Sequence, residues 1–352
     1  MPWASIMACG GCGTEIMVDN CTMAKELRDS LRSANSSLGE VKGLPAHQVM
    51  RRILLQLFAG LEVNRPGVVL GEEAESLHDF RVAVRRTRAA LGQLRGLFPQ
   101  PELDHFRGEF QWLGIVTGPT RDLDVYLQTF PASQDALPLD HREDLTPLRD
   151  LLLVRRREAH RVLAGELKSR RYRSLVRDWK RFLTAPEHPE ATPPNALVPF
   201  AEVAGRRIHR LFARVLAEGE KIDAGSPPTD FHALRIRCKK LRYLLEFYRC
   251  VEPTMDLERL IGELKALQDN LGAFQDLTVQ IRTLSLFAEE LVAGLAPART
   301  RLALRMLIER LERRRATVRG AFTERFSYFA RKRNRRRFQD LFSKVRKKER
   351  RS

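Results

Sequence analysis

Hydrophobic positions recur at helical spacing along almost the whole chain, and runs of alternating β-branched residues are absent. Leu, Ala, Arg and Glu are abundant in these segments, and all four are good helix formers. The pattern therefore predicts an all-α protein. A Pro-rich stretch at 184–199, TAPEHPEATPPNALVP, interrupts the pattern and is typical of a linker between two units.

Two stretches before this linker match two stretches after it at a constant offset. LHDFRVAVRRTR at 77–88 matches FHALRIRCKKLR at 231–242, which lies 154 residues later. LGIVTGPTRDLDVYLQTF at 113–130 matches LQDNLGAFQDLTVQIRTL at 267–284 with the same offset. A duplication of this kind predicts two homologous halves with their helices in the same order.

Weaker matches extend the repeat to about four helices in each half. The arginine run 155–157 aligns with 313–315 at an offset of 158, and residues 51–53 align with 206–208 at an offset of 155. The simplest architecture is a pair of homologous antiparallel four-helix bundles related by pseudo-twofold symmetry.

These matches define the predicted domain boundaries. We expect a disordered N-terminal extension at 1–44, a first four-helix half at 45–183, a Pro-rich linker at 184–195, a second four-helix half at 196–330 and a basic tail at 331–352. The extension contains Cys9, Cys12 and Cys21, which form an incomplete zinc set without a nearby His. The role of these cysteines and the true start codon stay open.

The first matched stretch places basic side chains on one side of a helix. At 3.6 residues per turn, this side holds His78, Arg81, Arg85 and Arg88 within an arc of about 80°. Phe80, Val84, Leu91, Leu94 and Phe98 form the apolar stripe beside it. The second stretch repeats the basic side with His232, Arg235, Lys239 and Arg242. Arg86 and Lys240 match each other but lie off the basic side.

Basic side chains next to an apolar stripe are partly sheltered from water, and their like charges repel one another. Like charges at i,i+4 cost an isolated helix about 0.2–0.5 kcal/mol per pair. A polyanion would relieve this cost, because guanidinium groups bind phosphate in a bidentate way and ammonium groups act as point charges. One basic side alone is more often a solvated face, and a lone His is more often structural. Repetition at a fixed offset favours a shared anion site.

Asp122 and Asp276 also match across the halves. Each carboxylate could cap a loop, or it could orient a nearby Arg or His. Metal binding by this pair has no support in the sequence. The weaker candidates for the anion site are Arg52, Arg155, Arg156, Arg206, Arg207, Arg313 and Arg314.

The net charge of +18 over 352 residues indicates a polyanionic partner. Twelve Lys and Arg residues against two acidic residues at 331–352 carry more than half of that charge. Five cysteines, an odd number in a long chain, are not a disulfide framework and favour a reducing compartment. With neither a signal peptide nor an apolar run of about 18 residues, we expect a cytoplasmic protein without a membrane partner.

HDFRVAVRRTR, HALRIRCKKLRY and the LG…D stretches after them resemble the CHAD family, the conserved histidine α-helical domains. The resemblance covers roughly 45–330. It implies two pseudo-symmetric four-helix bundles around a basic central cavity that binds inorganic polyphosphate, and association with polyphosphate granules. Members often adjoin a CYTH triphosphatase domain, and we expect a stand-alone member here. The residues to which the resemblance carries polyphosphate binding are His78, Arg81, Arg85, Arg86, Arg88, His232, Arg235, Lys239, Lys240 and Arg242.

The leading hypothesis is a non-catalytic polyphosphate-binding or granule-targeting module without a cofactor. Aromatic residues make up only 7% of the chain, which disfavours a stacking platform for single-stranded nucleic acid. RNA or DNA binding through the basic tail is the alternative. A polyphosphate phosphohydrolase is a third hypothesis, although a Walker loop and a paired-metal carboxylate cluster are not visible. The oligomeric state and the preferred chain length stay open.

Overall fold

The computed structural model describes residues 43–71, 73–93, 95–186, 193–223, 225–293 and 297–349. At 292–293 and from 343 onward it describes the backbone only. Nearly all of the predicted N-terminal extension, with Cys9, Cys12 and Cys21, lies outside these residues. So do Leu94, residues 187–192 of the Pro-rich linker and the end of the basic tail.

The all-α prediction is confirmed, and the described residues contain helices joined by short turns. The first half contains α1 (Ala46–Leu70), α2 (Ala74–Gln93), α3 (Gln100–Val116), α4 (Gly118–Asp135), α5 (Thr146–Lys168) and α6 (Arg170–Thr184). The second half contains α7 (Phe200–Gly219), α8 (Pro228–Tyr248), α9 (Met255–Ala293), α10 (Ala298–Gly320), α11 (Phe322–Ala330) and α12 (Lys332–Glu349). Each half thus carries more than the four predicted helices.

The α3–α4 pair corresponds to the single helix α9 of the second half. Pro119 lies at the start of α4, just after the junction at Thr117. Proline has no N–H to continue the ladder of an unbroken helix, and its ring clashes with the preceding turn. The equivalent position is Ala273, and α9 runs through it without interruption. One proline therefore explains why this element is split in the first half only.

The starts of the two halves meet in an isolated β-bridge between Pro45 and Pro199. Ala46 N–H donates to the Val198 carbonyl at 2.8 Å, and Phe200 N–H donates to the Leu44 carbonyl at 3.2 Å. Pro45 and Pro199 are themselves 154 residues apart. A residue that pairs with its own equivalent is what a twofold relation between the halves requires.

The buried positions of α1 and α7 correct the offset assigned to this part of the repeat. Leu54 and Ile208 are both fully buried, and Phe58 and Phe212 are also both buried. Each pair is separated by 154 residues, as in the rest of the repeat, and not by 155. Arg206 is therefore equivalent to Arg52, whereas Arg207 stands where the first half has an isoleucine, Ile53.

The predicted basic tail is largely a helix that packs on the body of the protein. Phe338 and Phe342 of α12 are buried at 2% and 1% exposure, and Asn334 is fully buried. Phe338 stacks on Phe212 with ring centroids 3.8 Å apart. Apolar burial on this face explains why a strongly basic segment docks, because its aromatic residues recur every four positions on one side of the helix.

α12 occupies in the second half the place that α6 occupies in the first. α6 packs on α1 and α3, and α12 packs on α7 and α9, which are the equivalents of those two helices. Trp179 of α6 lies against Phe106 and Phe110 with centroids 4.7 and 5.0 Å away. The boundary predicted at residue 330 therefore cuts through the repeat unit.

The apolar core does not separate into one core for each half. The larger cluster contains residues of both halves, from Ala46 to Phe342. A second cluster joins α4 and α5 to α9 and α10, with Phe130, Leu148, Leu277 and Leu307 among its members. Both clusters cross the boundary between the halves, so neither half buries its apolar surface alone.

Helix α1 is also long and apolar enough, by length and composition, to cross a membrane. An 18-residue window within it has a mean hydropathy of 1.3. Met50, Leu54 and Phe58 of this helix lie in the larger core cluster, and the core helix of a globular protein passes the same test. The expectation of no membrane partner stays a prediction.

We predict that Phe338→Ala lowers the free energy of unfolding by about 3 kcal/mol, because it leaves a cavity against Phe212. Urea denaturation of the purified protein measures this change. The control Arg336→Ala alters an exposed residue two positions away, and we expect a change of about 0.5 kcal/mol or less. Equal stability of the two variants would mean that α12 is not part of the folded unit.

Candidate anion-binding site

A cavity of about 1140 Å³ lies between the two halves. Its walls come from α2 and α4 of the first half and from α8, α9 and α10 of the second. The basic residues that line it are His78, Arg81, Arg85, Arg121, His232, Arg235, Arg310 and Arg314. Five of these eight, two histidines and three arginines, come from the matched motif helices α2 and α8, which contact each other.

The predicted apolar stripe orients α2 toward the core. Phe80, Val84 and Leu91 are buried, which places the opposite edge of the helix at the cavity. Arg81 donates to the Thr117 hydroxyl at 2.9 Å and to the Gly114 carbonyl at 3.2 Å. The junction of α3 and α4 therefore holds the Arg81 guanidinium in place at the cavity wall.

Each motif histidine is hydrogen-bonded through Nδ1 to the residue 43 positions later. Arg121 donates to Nδ1 of His78 at 3.1 Å. The partner of His232 is Oε1 of Gln275 at 3.0 Å, which can only accept. The neighbour of Nδ1 is thus a charged guanidinium at His78 and an uncharged amide at His232. Arg121 and Gln275 are equivalent positions, so the two halves hold equivalent histidines in different ways.

The two repeated carboxylates face the same cavity. The Arg235 guanidinium lies 3.5 Å from Asp276, and Arg235 is much less exposed than that carboxylate. Partial burial raises the pKa of Asp122, as does the nearby Asp276, whereas Arg81 and Arg121 oppose the rise. Both carboxylates lie inside α4 and α9 and not in loops. This position favours the orienting role over the role of a loop cap.

Lys239 lies between cations of both halves. Burial, together with the guanidinium groups of Arg235 and Arg85, lowers the pKa of Lys239 to about 8. Lys239 is the equivalent of Arg85, so two equivalent cations approach each other across the halves. Burial also lowers the pKa of Arg81, with Arg85 and Arg121 among the contributing cations. Positive charge is thus concentrated at the motif helices.

Some residues assigned to the site by the sequence lie away from the cavity lining. Arg86 and Arg242 both pair with Glu246 at 3.0 Å, and this carboxylate is only 12% exposed. Arg86 and Glu246 therefore link α2 to α8 through an ion pair. The Arg88 guanidinium lies over Gly114, where a Cβ atom would approach it to 2.7 Å. Lys240 is exposed and lies outside the lining residues.

Most of the arginines that the sequence offered as weaker candidates for the anion site also lie away from the cavity lining. Arg156 pairs with the buried Asp124 at 3.0 Å and also donates to the Gly71 carbonyl, so it has a structural role. Arg155 pairs with Glu290 at 2.6 Å across the halves. Of the two candidates on α10, Arg314 lines the cavity and Arg313 does not. Arg52 is exposed on α1, and Arg206 and Arg207 line a different pocket.

Sequence reasoning missed Arg121, Arg310 and Gln275, which line the cavity. Arg121 and Gln275 stand at matched positions of the repeat, but their side chains differ, so a search for identical residues passes over them. Arg310 donates to the Ala136 carbonyl at 3.0 Å and closes the cavity from α10. Arg310 lies four residues before Arg314, so both side chains leave the same side of α10. That spacing could have indicated Arg310 once Arg314 was a candidate.

One group of possible metal ligands among the described residues lies at the rim of the cavity. The ligand atoms of Glu75, His78 and Asp79 are within 4.8 Å of one another. Glu75 and Asp79 are exposed, and His78 already bonds Arg121 through Nδ1. An exposed set of this kind is not a metal site by itself.

The fold and the cavity together define an all-α protein whose two related halves enclose a basic cavity. Residues 52–285 match the family model described as the CHAD domain. Because this match covers most of the chain, the protein belongs to the CHAD domain family, as the motif resemblance predicts.

Two solved structures have a similar fold. The CHAD domain from the plant Ricinus communis is 23% identical, with a TM-score of 0.67, and the alignment covers 81% of this chain and 92% of that one. PptA from Streptomyces chartreusis is 19% identical, with a TM-score of 0.60, over 80% of this chain and 99% of that one. A search of curated proteins found no match.

We predict that Lys239→Met raises the free energy of unfolding at pH 7. The charged lysine disfavours the folded state while its pKa there lies below its unfolded value. This cost is fully present below about pH 8 and disappears above the unfolded pKa, which is about 10.4. The stability difference from wild type should therefore shrink between pH 8 and pH 10.5, as measured by urea denaturation.

The control for this prediction is Lys240→Met, which removes the same charge at the next, exposed position. We expect this variant to differ little from wild type across the same pH range. If the stability of both variants changed equally with pH, the lowered pKa of Lys239 would be contradicted.

Proposed function

We propose that the cavity binds inorganic polyphosphate and that the protein is a non-catalytic binding or granule-targeting module of the cytoplasm. The observation that carries the proposal is the convergence of cations from both halves on one cavity. Arg81, Arg85 and Arg121 come from the first half, and Arg235, Arg310 and Arg314 come from the second. Asp122 and Asp276 are the acidic residues of that lining, so positive charge dominates.

A phosphate chain fits this arrangement physically. The pKa values of Arg81 and Lys239 are lowered by burial and by repulsion from the cations next to each of them. An anion between the two motif helices would offset that repulsion and make charge-assisted hydrogen bonds, each of which contributes about 1.5–3 kcal/mol. A linear polymer of equal charges suits cations placed along a cavity.

The lining favours a phosphate polymer over single-stranded nucleic acid. Tyr126 is the aromatic residue among the described lining residues, and it packs edge-on against Phe287 with centroids 6.5 Å apart. Sequence-tolerant binding of single strands uses several aromatic rings on which successive bases stack. The cavity supplies charge without such a platform.

The pairing of the histidines supports binding without catalysis. His78 bonds Arg121 and His232 bonds Gln275 through Nδ1, whereas a histidine that acts as a base is commonly oriented by a carboxylate at this atom. Release of phosphate from polyphosphate with Mg²⁺ or Mn²⁺, lost in His78→Ala, would overturn this part of the proposal and favour a phosphohydrolase.

Nucleic-acid binding through α12 is the second candidate. Lys332, Arg333 and Arg336 are exposed on this helix and could contact a phosphate backbone. Arg331 and Arg335 are instead paired with Glu263 and Glu220 at 2.6 and 2.7 Å. Because α12 also buries core aromatics, deletion of 331–352 would disturb the fold, and substitution of the three exposed cations to Gln is the cleaner test.

We predict that Arg85→Gln with Arg235→Gln weakens the binding of long-chain polyphosphate by at least about tenfold, because two charge-assisted contacts are lost. Isothermal calorimetry at near-physiological salt measures the dissociation constant. The matched control is Arg52→Gln with Lys240→Gln, which removes equal charge from two exposed positions outside the cavity lining. We expect the control to bind within about threefold of wild type.

The same titration separates the two candidate functions. If both double variants lose affinity equally, net charge and not the cavity governs binding. If the Gln variant of Lys332, Arg333 and Arg336 loses RNA binding but keeps polyphosphate binding, the cavity remains the polyphosphate site. If polyphosphate binding is lost only in that α12 variant, the proposal for the cavity fails.

A further inference from the structure

A second basic pocket lies at the other end of α2, away from the cavity. Its volume is about 180 Å³, and it is lined by Gln93, Arg95, Asn195, Val203, Arg206, Arg207 and Arg210. Gln93 lies eight residues beyond Arg85, which is about 12 Å along a helix. None of its lining residues is shared with the cavity.

Three separate segments build this pocket. Gln93 ends α2, and its side chain is buried at 3% exposure. Arg95 lies in the turn that follows, beside Gly96, whose φ of +78° is in the left-handed region that favours glycine. The Asn195 amide packs over this glycine, so that a Cβ atom there would approach Nδ2 to 3.0 Å. Arg206, Arg207 and Arg210 project from the middle of α7.

The charge of the pocket is poorly compensated. Arg206 pairs with Glu202 on its own helix at 3.4 Å. Burial lowers the pKa of Arg207, and the groups that lower it further are Arg210, Arg95 and Arg214. Among the described residues, no carboxylate is a cause of this shift. Nε of Arg207 is buried and has no hydrogen-bond partner among the described residues.

This cluster does not follow from the duplication. With the offset of 154 that the core positions establish, Arg207, Arg210 and Arg214 correspond to Ile53, Gln56 and Gly60 of α1. The first half thus forms the same helix in the same place with uncharged residues at these positions. The fold alone therefore does not require three arginines here, and they add mutual repulsion to α7.

We propose that this pocket is a second anion site, which binds a diphosphate group. Several guanidinium groups around a small space suit adjacent phosphate groups, to which arginine donates in a bidentate way. The pocket volume of about 180 Å³ is much smaller than the 1140 Å³ of the cavity, which suits one or two phosphate groups better than a long chain. The Gln93 and Asn195 amides supply further hydrogen bonds. Free pyrophosphate and the diphosphate of a nucleotide share this chemistry.

The test uses the full chain in the background of the Arg85→Gln, Arg235→Gln cavity variant, in which anion binding at the cavity is expected to be weakened. We expect calorimetry at near-physiological salt to show pyrophosphate binding there. Adding Arg207→Gln and Arg210→Gln should weaken it by at least about tenfold. Adding Arg52→Gln and Arg333→Gln instead, two exposed cations elsewhere, should leave the dissociation constant within about twofold.

Each outcome has a defined meaning. Absence of pyrophosphate binding in the cavity variant, or equal weakening by both added pairs, would overturn the second site. Binding of ADP as tight as that of pyrophosphate assigns the site to nucleotide diphosphates, and binding of pyrophosphate alone assigns it to the free inorganic anion. Because removing Arg207 relieves repulsion, its variants should melt no lower than their background, which excludes unfolding as the cause of lost binding.

The result is independent of the polyphosphate proposal. Failure of the cavity variant to weaken polyphosphate binding would overturn the proposed function and leave the second site standing. Pyrophosphate binding that survives all four substitutions would overturn the second site and leave the cavity proposal standing.

Discussion

The fold must hold cations of the two halves close together against their electrostatic repulsion. Arg85, Arg235 and Lys239 lie close enough to lower the pKa of that lysine, and apolar packing holds them there. The core clusters cross the boundary between the halves, so the hydrophobic gain of the whole fold maintains the charged arrangement. Cations held in place in this way would lower the cost of binding the anion that we propose, because they need no rearrangement.

The repeat in the sequence places matched cations of both halves near one another. The halves meet at equivalent residues, as the bridge between Pro45 and Pro199 shows directly. When a helix contacts its own equivalent near a twofold axis, every cation on the shared face appears twice. Ion pairs around the edge restrain the contact, because Glu246 joins Arg86 of α2 to Arg242 of α8. The same residue types therefore serve the cavity at some positions and the interface at others.

The sequence predicts the all-α fold, the repeat and the central members of the basic lining, such as His78, Arg81 and Arg235. Helical spacing gives the direction in which a side chain leaves the helix, but it does not say which neighbour lies there. Arg88 and Arg242 share the predicted arc, yet one lies over Gly114 and the other pairs with Glu246. The docking of α12 escaped prediction because its charge hides the spacing of its buried residues Asn334, Phe338 and Phe342, which recur every four residues.

The different partners of the two motif histidines have a consequence for any ligand of the cavity. A perfectly twofold cavity would present the same charge to a ligand at both of its ends. Arg121 beside His78 and the uncharged Gln275 beside His232 make the two ends of this cavity unequal. The terminal phosphate of a chain carries more negative charge than an internal one, so a polyphosphate bound as we propose would favour a position with one chain end at the Arg121 side.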